Sequence, residues 1–185
     1  MAQYGFYINM NECASCKACV IACKDVNDLE EGFNYRHVEE CEGGSYPDVW
    51  AASISLACNH CATPACFAVC PVGAIAKDEE TGLVSIDPEE CTGCQSCVSA
   101  CPYGAPVHVP DKQKVGKCDG CMSKVAEGEK PACAAACYTR CLDFGIIEEL
   151  EEKYGTGLVR TVPGLADPDQ TSPSLLINPK QQMLA

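Results

Sequence analysis

The chain has 185 residues and a formal net charge of −13, with 13 basic against 26 acidic side chains. Such an acidic chain is not expected to bind nucleic acid, because proteins that do so present basic patches. No apolar run approaches the ~20 residues of a membrane-spanning helix, and no stretch has the pattern of a signal peptide. Cysteine is the over-represented residue, with 18 copies beside four Phe and one Trp. The organisation of the fold is therefore expected to depend on the cysteines.

Sixteen of the cysteines fall into four groups of similar spacing. The groups are Cys13-x2-Cys16-x2-Cys19-x3-Cys23, Cys58-x2-Cys61-x4-Cys66-x3-Cys70, Cys91-x2-Cys94-x2-Cys97-x3-Cys101 and Cys118-x2-Cys121-x11-Cys133-x3-Cys137. Bacterial ferredoxins carry C-x2-C-x2-C-x3-C-P, in which the last cysteine binds the other cluster of a pair. The third group reproduces this run, the first lacks only the proline, and the other two lengthen one gap. The spacing predicts iron–sulfur ligand sets.

The geometry of a cubane cluster explains this spacing. Three thiolates of one tight loop bind three irons only if the backbone wraps the cluster with its N–H groups turned inward. The fourth thiolate follows a helical turn later and points toward a second cluster. Disulfides are disfavoured because the cysteines crowd at x2, and zinc because its sites use two separated pairs. Cubane clusters are predicted, and they replace much of the missing apolar core.

The elements before residue 111 are predicted in chain order as follows. Residues 25–57 are an insertion with strands at 35–39 and 50–56, separated by a turn at Gly43-Gly44. Residues 58–110 are an inner ferredoxin-like module, since the segment after Cys70 is echoed after Cys101. Its strands at 74–77 and 83–87 form a hairpin with Gly82 in the turn.

The remaining segments complete an α+β fold of two interleaved 2[4Fe-4S] ferredoxin-like modules. Residues 1–24 and 111–149 are predicted to form the outer module around the inner one. An acidic helix is expected at 148–153. Proline and glycine are dense in 150–185, which indicates an extended C-terminal arm. That arm is either a disordered tail or a segment that orders against a partner subunit, with residues 175–177 as an added strand.

Two cysteines, Cys41 and Cys141, lie outside the four groups. Cys141 competes with Cys137 as a ligand, and the x3 spacing of the other groups favours Cys137. A lone cysteine such as Cys41 is most often an inert small apolar residue. A bond between Cys41 and Cys141 remains open.

The histidines and the other motifs do not suggest catalysis. His60 lies inside a ligand loop and either tunes a cluster or simply packs there, whereas His37 and His108 are expected at the surface. A Rieske centre is not expected, because no group is short of cysteines. Phosphate-binding, nicotinamide, flavin and nucleophile motifs are all missing from the sequence. The chain alone is predicted not to be an enzyme.

The chain resembles the electron-transfer subunits of the dimethyl sulfoxide reductase-type molybdopterin oxidoreductases over about residues 3–155. Beyond the cysteines, the resemblance rests on Gln3–Ile8, Ala22–Asp25, Ser55–Cys61, Ala100–Pro106, Lys117–Cys121 and Leu142–Gly145. The sequence departs from the family at Tyr138, where proline is usual, and at Cys141, where an apolar residue is common. These departures fall at the end of the fourth group.

The resemblance implies four [4Fe-4S] clusters whose ligands cross between the groups. The implied quartets are Cys13, Cys16, Cys19 with Cys137; Cys118, Cys121, Cys133 with Cys23; Cys58, Cys61, Cys66 with Cys101; and Cys91, Cys94, Cys97 with Cys70. The Cys13 quartet would lie nearest a large catalytic subunit with a molybdenum (or tungsten) bis-pterin cofactor. The Cys91 quartet would lie nearest a quinol-oxidising membrane anchor subunit or another donor.

The implied function is the relay of electrons between a quinol-linked or other donor and that catalytic subunit. The alternatives are the corresponding subunit of a formate dehydrogenase or hydrogenase complex, and a free polyferredoxin. Without its own signal peptide, the protein is expected on the periplasmic face by co-export with a twin-arginine partner, or in the cytoplasm. It would be peripheral to the membrane where an anchor exists.

Overall fold

The computed structural model describes residues 2–184, which form an α+β fold of short elements. The strands are β1 (Tyr4–Asn9), β2 (His37–Ser45), β3 (Asp48–Leu56), β4 (Ile75–Lys77), β5 (Val84–Ile86), β6 (Val107–Val109), β7 (Lys114–Gly116), β8 (Leu142–Ile146) and β9 (Leu175–Asn178). The helices are α1 (Ala18–Val26), α2 (Ala65–Ala68), α3 (Ser96–Ala100), α4 (Met122–Ala126), α5 (Ala132–Ala135) and α6 (Ile147–Tyr154). Among the described residues, no helix is long and apolar enough to cross a membrane.

The largest sheet has the order β8-β1-β9 and holds the two ends of the chain together. Strand β1 pairs antiparallel with β8 and parallel with β9. Its residues Gly5–Ile8 are all buried, as expected of a strand covered on both faces. Phe6 packs against Phe144 of β8 on one face (4.9 Å between ring centroids), and Tyr7 stacks on Tyr154 of α6 on the other. The sheet therefore joins α6 to the main core.

The C-terminal arm contributes strand β9 to this sheet. Leu175, Leu176 and Ile177 are all buried, and Ile177 is completely inaccessible to solvent. Burying each such side chain contributes about 1.5–3 kcal/mol, which offsets the entropy lost in ordering the arm. The strand predicted at 175–177 is present, and it pairs with β1 of the same chain. The alternative of a disordered tail is wrong for this segment.

The hairpin β4–β5 confirms the strands predicted at 74–77 and 83–87. Its turn is held by the Asp78 carboxylate, which accepts hydrogen bonds from the backbone N–H (2.7 Å) and hydroxyl (2.6 Å) of Thr81. Gly82 completes the turn with a φ of 69° that favours glycine. Helix α6 likewise confirms the acidic helix predicted at 148–153.

The hairpin β2–β3 confirms two strands in the insertion but not the predicted turn. Gly43 and Gly44 lie within β2, and the chain reverses at Tyr46-Pro47. Gly43 is opposite Trp50, and a Cβ at Gly43 would lie 2.6 Å from the Trp50 ring. Glycine is required at this position because the indole lies against the backbone, and not because the chain turns there.

The third cysteine of each group lies in a short helix: Cys19 in α1, Cys66 in α2, Cys97 in α3 and Cys133 in α5. Helix α1 packs against α5, and α2 packs against α3. The first group therefore faces the fourth, and the second group faces the third.

Candidate metal centres

The four cysteine loops share one backbone feature. The residue before the second cysteine has a left-handed conformation in every loop: Ser15 (φ 53°), His60 (43°), Gly93 (69°) and Gly120 (77°). This turn points N–H groups at sulfur, since the N–H of Gly93 donates to Cys91 Sγ and that of Gly120 to Cys118 Sγ, both at 3.4 Å. Such bonds stabilise a thiolate. The inward-turned N–H groups expected from the sequence are confirmed in these two loops.

One small cavity is lined by four cysteines from two groups. Cys58, Cys61 and Cys66 come from the second group, and Cys101 comes from the third. Apolar side chains such as Val84 complete the wall. Burial raises the pKa of Cys66 to about 11, and the neighbouring Cys58 adds to the shift. The free thiol of Cys66 is therefore neutral near pH 7, and a bound metal would hold it as a thiolate.

A second small cavity shows the reciprocal arrangement. Cys91, Cys94 and Cys97 come from the third group, and Cys70 comes from the second. Cys94 is exposed to solvent, unlike the thiols of the first cavity. The two groups have therefore exchanged their fourth cysteines across the α2–α3 contact.

Cysteines of the first and fourth groups also meet. Burial raises the pKa of Cys23 to about 12, and the nearby thiols of Cys133 and Cys121 raise it further. Cys121 is likewise close enough to Cys133 for its pKa to be raised, after the larger effect of burial. The last cysteine of the first group therefore lies among those of the fourth.

The end of the fourth group carries a fifth thiol. Cys137 and Cys141 lie 3.6 Å apart at their Sγ atoms, and both are buried. A hydrogen bond from Cys141 lowers the pKa of Cys13. Cys141 and the neighbouring Cys137 therefore lie beside the first group. The geometry thus keeps Cys141 beside Cys137 as a competing thiol. All 18 cysteines lie within the described residues and are free thiols, so Cys41 and Cys141 are not bonded to each other.

The donor set fits a cluster better than a single ion. Within residues 2–184, no three His, Cys, Asp or Glu side chains converge closely enough to bind one metal ion. A cubane has no such requirement, because each thiolate binds a different iron and the four sulfurs stand around the cluster. Both cavities, each lined by four free thiols, fit that group. In the second cavity, backbone N–H groups are also directed at sulfur, at Cys91.

His60 lies between two cysteine groups and is fully buried. Its Nδ1 accepts a hydrogen bond from the Val84 N–H (3.0 Å), and its Nε2 lies 3.9 Å from Cys118 Sγ. Burial, followed by the charge of Lys117, keeps the pKa of His60 well below its usual value. The neutral ring therefore carries its proton on Nε2, facing sulfur. His37 and His108 are partly exposed, which agrees with their expected place at the surface.

Two buried cations, Lys117 and Arg36, were not predicted to be buried. Lys117 Nζ donates to Cys58 Sγ (3.4 Å), to the Cys118 carbonyl oxygen (2.8 Å) and to the carbonyl oxygen of Val84. Arg36 is 1% exposed. A weak signal for Arg36 was available, since it is the only lysine or arginine in residues 25–57. Burial of a charge is not visible in a sequence, because it depends on which groups the fold brings around it.

Comparisons with known proteins agree with this geometry. A family model described as a 4Fe-4S dicluster domain matches residues 49–147, and one described as a 4Fe-4S binding domain matches residues 10–31. The probable anaerobic dimethyl sulfoxide reductase subunit YnfG of Escherichia coli is 44% identical over 96% of this chain and 89% of its own length. The B subunit of the anaerobic dimethyl sulfoxide reductase of Haemophilus influenzae is 43% identical over 98% and 91%.

A more distant relative is protein NrfC of Escherichia coli, 36% identical over 80% of this chain and 67% of its own length. The dimethyl sulfoxide reductase relatives match nearly the whole of this chain, including the segments that carry the cysteine groups. The protein binds iron–sulfur clusters and transfers electrons, and it is not an enzyme by itself. It belongs to the family of the iron–sulfur B subunits of anaerobic dimethyl sulfoxide reductases.

Proposed function

We propose that the protein holds four [4Fe-4S] clusters and relays electrons between a donor and a molybdopterin catalytic subunit. The proposed ligand sets are Cys13, Cys16, Cys19 and Cys137; Cys23, Cys118, Cys121 and Cys133; Cys58, Cys61, Cys66 and Cys101; and Cys70, Cys91, Cys94 and Cys97. When bound, such clusters accept and release single electrons at potentials set by burial, charge and hydrogen bonds.

The observation that carries this proposal is the pair of cavities with exchanged cysteines. Cys101 lines the cavity of the second group, and Cys70 lines that of the third. Four thiols around each cavity match the ligand number of one cubane. The α2–α3 and α1–α5 contacts support two such exchanges, and hence an inner and an outer ferredoxin-like module that interleave.

The contacts between the sets support a linear order. Cys19 lies close to Cys133, and Cys118 lies close to Cys58. Two sets therefore occupy the middle, and we call them the central ligand sets: those of Cys118 and of Cys58. The other two, of Cys13 and of Cys91, are the terminal ligand sets.

The terminal ligand sets are the proposed points of electron entry and exit. Among the cysteines of residues 2–184, only Cys16 and Cys94 are exposed, and one belongs to each terminal set. We assign the Cys16 end to a molybdenum (or tungsten) bis-pterin catalytic subunit and the Cys94 end to a membrane anchor. The names of the relatives as parts of a reductase support a fixed complex.

The side chains of this protein have three tasks in the relay. The cysteines position the clusters, the apolar walls exclude water, and backbone N–H groups stabilise sulfur charge. None of these tasks requires a substrate pocket. Choice of the final acceptor is therefore assigned to the catalytic subunit.

The test is purification from the native anaerobic host without dissociation of partners, followed by partner identification and analysis for iron, molybdenum, tungsten and zinc. The proposal expects a large molybdopterin subunit and about sixteen irons attributable to this protein, four per cubane. Iron at that level without any partner would favour a free polyferredoxin. Zinc in place of iron would overturn the cluster assignment.

A further inference from the structure

Arg36 is a buried cation that lacks an ionic partner of its own. Its side chain is 1% exposed, and none of the ion pairs within residues 2–184 includes it. Burying a charge without a counter-charge costs several kcal/mol in proteins. An anion that compensates this charge is therefore expected close to the guanidinium.

The hydrogen bonds of Arg36 use only part of the guanidinium. Its Nη1 donates to the Ser55 carbonyl oxygen (3.1 Å) and hydroxyl (3.0 Å), and Cζ stands 4.3 Å from the Phe6 ring centroid. Nε and Nη2 are buried and have no hydrogen-bond partner among the described residues. Buried donors without acceptors are rare and costly. Two N–H groups are thus held ready for an acceptor that the polypeptide does not provide.

Cysteines surround the guanidinium. Cys133, Cys118, Cys19 and Cys23 lie close enough for their charges, once ionised, to act on Arg36. Three of these four belong to the central ligand set of Cys118, and Cys19 belongs to the neighbouring terminal set. Ser55 links Arg36 to that neighbour, since its hydroxyl lies 3.2 Å from Cys19 Sγ.

We infer that Arg36 is the counter-charge of the cluster bound by Cys23, Cys118, Cys121 and Cys133, and that it raises the reduction potential of that cluster. This inference rests on the proposed ligand sets. Four thiolates outweigh the positive charge of a cubane core, so the bound group is an anion. Reduction adds one electron and one further negative charge, which a nearby guanidinium stabilises. Sulfur atoms of that cluster would be the acceptors for the two N–H groups, Nε and Nη2, that have no partner in the polypeptide.

The test is a potentiometric titration of the intact complex, followed by low-temperature EPR, with Arg36→Met and Arg36→Lys. In Arg36→Met one cluster is expected to become at least tenfold harder to reduce, which for one electron is a downward shift of about 59 mV or more. Arg36→Lys keeps the charge and is expected to shift less. Arg160→Met is the control, because Arg160 is a half-exposed arginine paired with Glu151. It is expected to leave every potential unchanged.

Each outcome decides the inference. Full iron content with unchanged potentials in Arg36→Met would overturn it. If Arg36→Met fails to load iron while Arg36→Lys loads, the charge is required, because lysine and methionine have similar volumes. If neither variant loads iron, the role of Arg36 is structural, through its hydrogen bonds to Ser55, and the inference is overturned. A wild-type complex without iron would instead contradict the proposed ligand sets. Failure of the proposed function is thus distinguishable from failure of the inference about Arg36.

Discussion

The proposed central and terminal ligand sets differ in how exposed their thiols are. Cys118, Cys133 and Cys58 of the central sets are all buried. Each terminal set, in contrast, has one exposed thiol, Cys16 or Cys94. The buried cations follow the same division, since Arg36 and Lys117 both lie beside central cysteines.

This difference means that the negative charge of the ligand sets is stabilised in two ways within one small fold. Anionic groups in a dry interior require counter-charges and hydrogen bonds, which Arg36, Lys117 and His60 provide in the middle of the fold. At the ends, water provides part of that stabilisation. A cluster bound by an exposed cysteine would also lie closer to the redox group of a docked partner. The fold therefore combines a shielded middle with two accessible ends.

The largest expected effect is that of removing all the iron. Helices as short as α2 and α5, with four residues each, are not stable alone, so they depend on the groups that their cysteines bind. We expect iron removal by a chelator under anaerobic conditions to abolish the cooperative thermal transition seen by circular dichroism. An apo-protein with a cooperative transition near that of the holo-protein would contradict the dependence of both regions on clusters.

Single cysteine substitutions should separate the two kinds of set. Cys133→Ala is expected to lose a whole cluster, because the buried site has no water to replace the thiolate. Cys94→Ala is expected to lose one iron and leave a three-iron cluster, detectable by EPR of the oxidised protein. The control is Cys41→Ala, outside all four sets, with unchanged iron content. Equal iron losses at Cys133 and Cys94 would remove the distinction between central and terminal sets.

Cys141, the fifth thiol at the end of the fourth group, allows a test of which cysteine completes the terminal set of Cys13. Because Cys137 and Cys141 are 3.6 Å apart at sulfur, Cys137→Ser is expected to keep its cluster by recruiting Cys141, with an altered EPR spectrum. Cys141→Ser is expected to keep both iron and spectrum, and the double variant to lose the cluster. Cluster loss in Cys141→Ser alone, with a normal Cys137→Ser, would identify Cys141 as the ligand.

The smallest expected effect concerns Asp143, a buried carboxylate in β8. It accepts hydrogen bonds from Lys153 (2.7 Å) and the Tyr154 hydroxyl (2.6 Å) and pairs with Lys130. Against the cost of burial, these bonds hold the pKa of Asp143 below its usual range. Asp143→Asn is expected to cost about 1–3 kcal/mol in the free energy of unfolding.

The pH dependence of that cost has a definite sign. A depressed pKa stabilises the fold above the unfolded pKa of about 3.9, and this contribution is lost only as the pH falls through the folded value. The difference between wild type and Asp143→Asn should therefore be constant between about pH 6 and pH 9. Denaturant unfolding of the holo-protein at several pH values measures this difference in the free energy of unfolding. The control is Asp111→Asn, because Asp111 is exposed. A cost that disappears within that window would contradict the ion-pair account.

The sequence predicted the cysteine groups and the β4–β5 hairpin because both depend on short-range spacing. The prediction of the β2–β3 turn was wrong, since Gly43-Gly44 and Tyr46-Pro47 are both turn-forming pairs and the chain reverses at the second. The partner of β9 was also missed. An isolated apolar strand such as Leu175–Asn178 carries no signal for which sheet edge it joins.

The burial of Arg36 and Lys117 could not be predicted from the sequence, for a different reason. Charged residues are rarely buried without a partner. The compensating anions are not residues of opposite charge that a sequence displays, but groups assembled from cysteines far apart in the chain. The packing of α1 against α5 brings Cys19, Cys23 and Cys133 together near Arg36.

The most direct test of the central claim is whether the fourth cysteines cross between groups. Cys101→Ser, Cys61→Ser and Cys94→Ser would be compared in the intact complex by EPR-monitored redox titration. The account predicts that Cys101→Ser alters the same signal as Cys61→Ser, although Cys101 and Cys94 share a sequence group. If Cys101→Ser instead alters the signal changed in Cys94→Ser, each group binds its own cluster, and the crossed ligand sets are wrong.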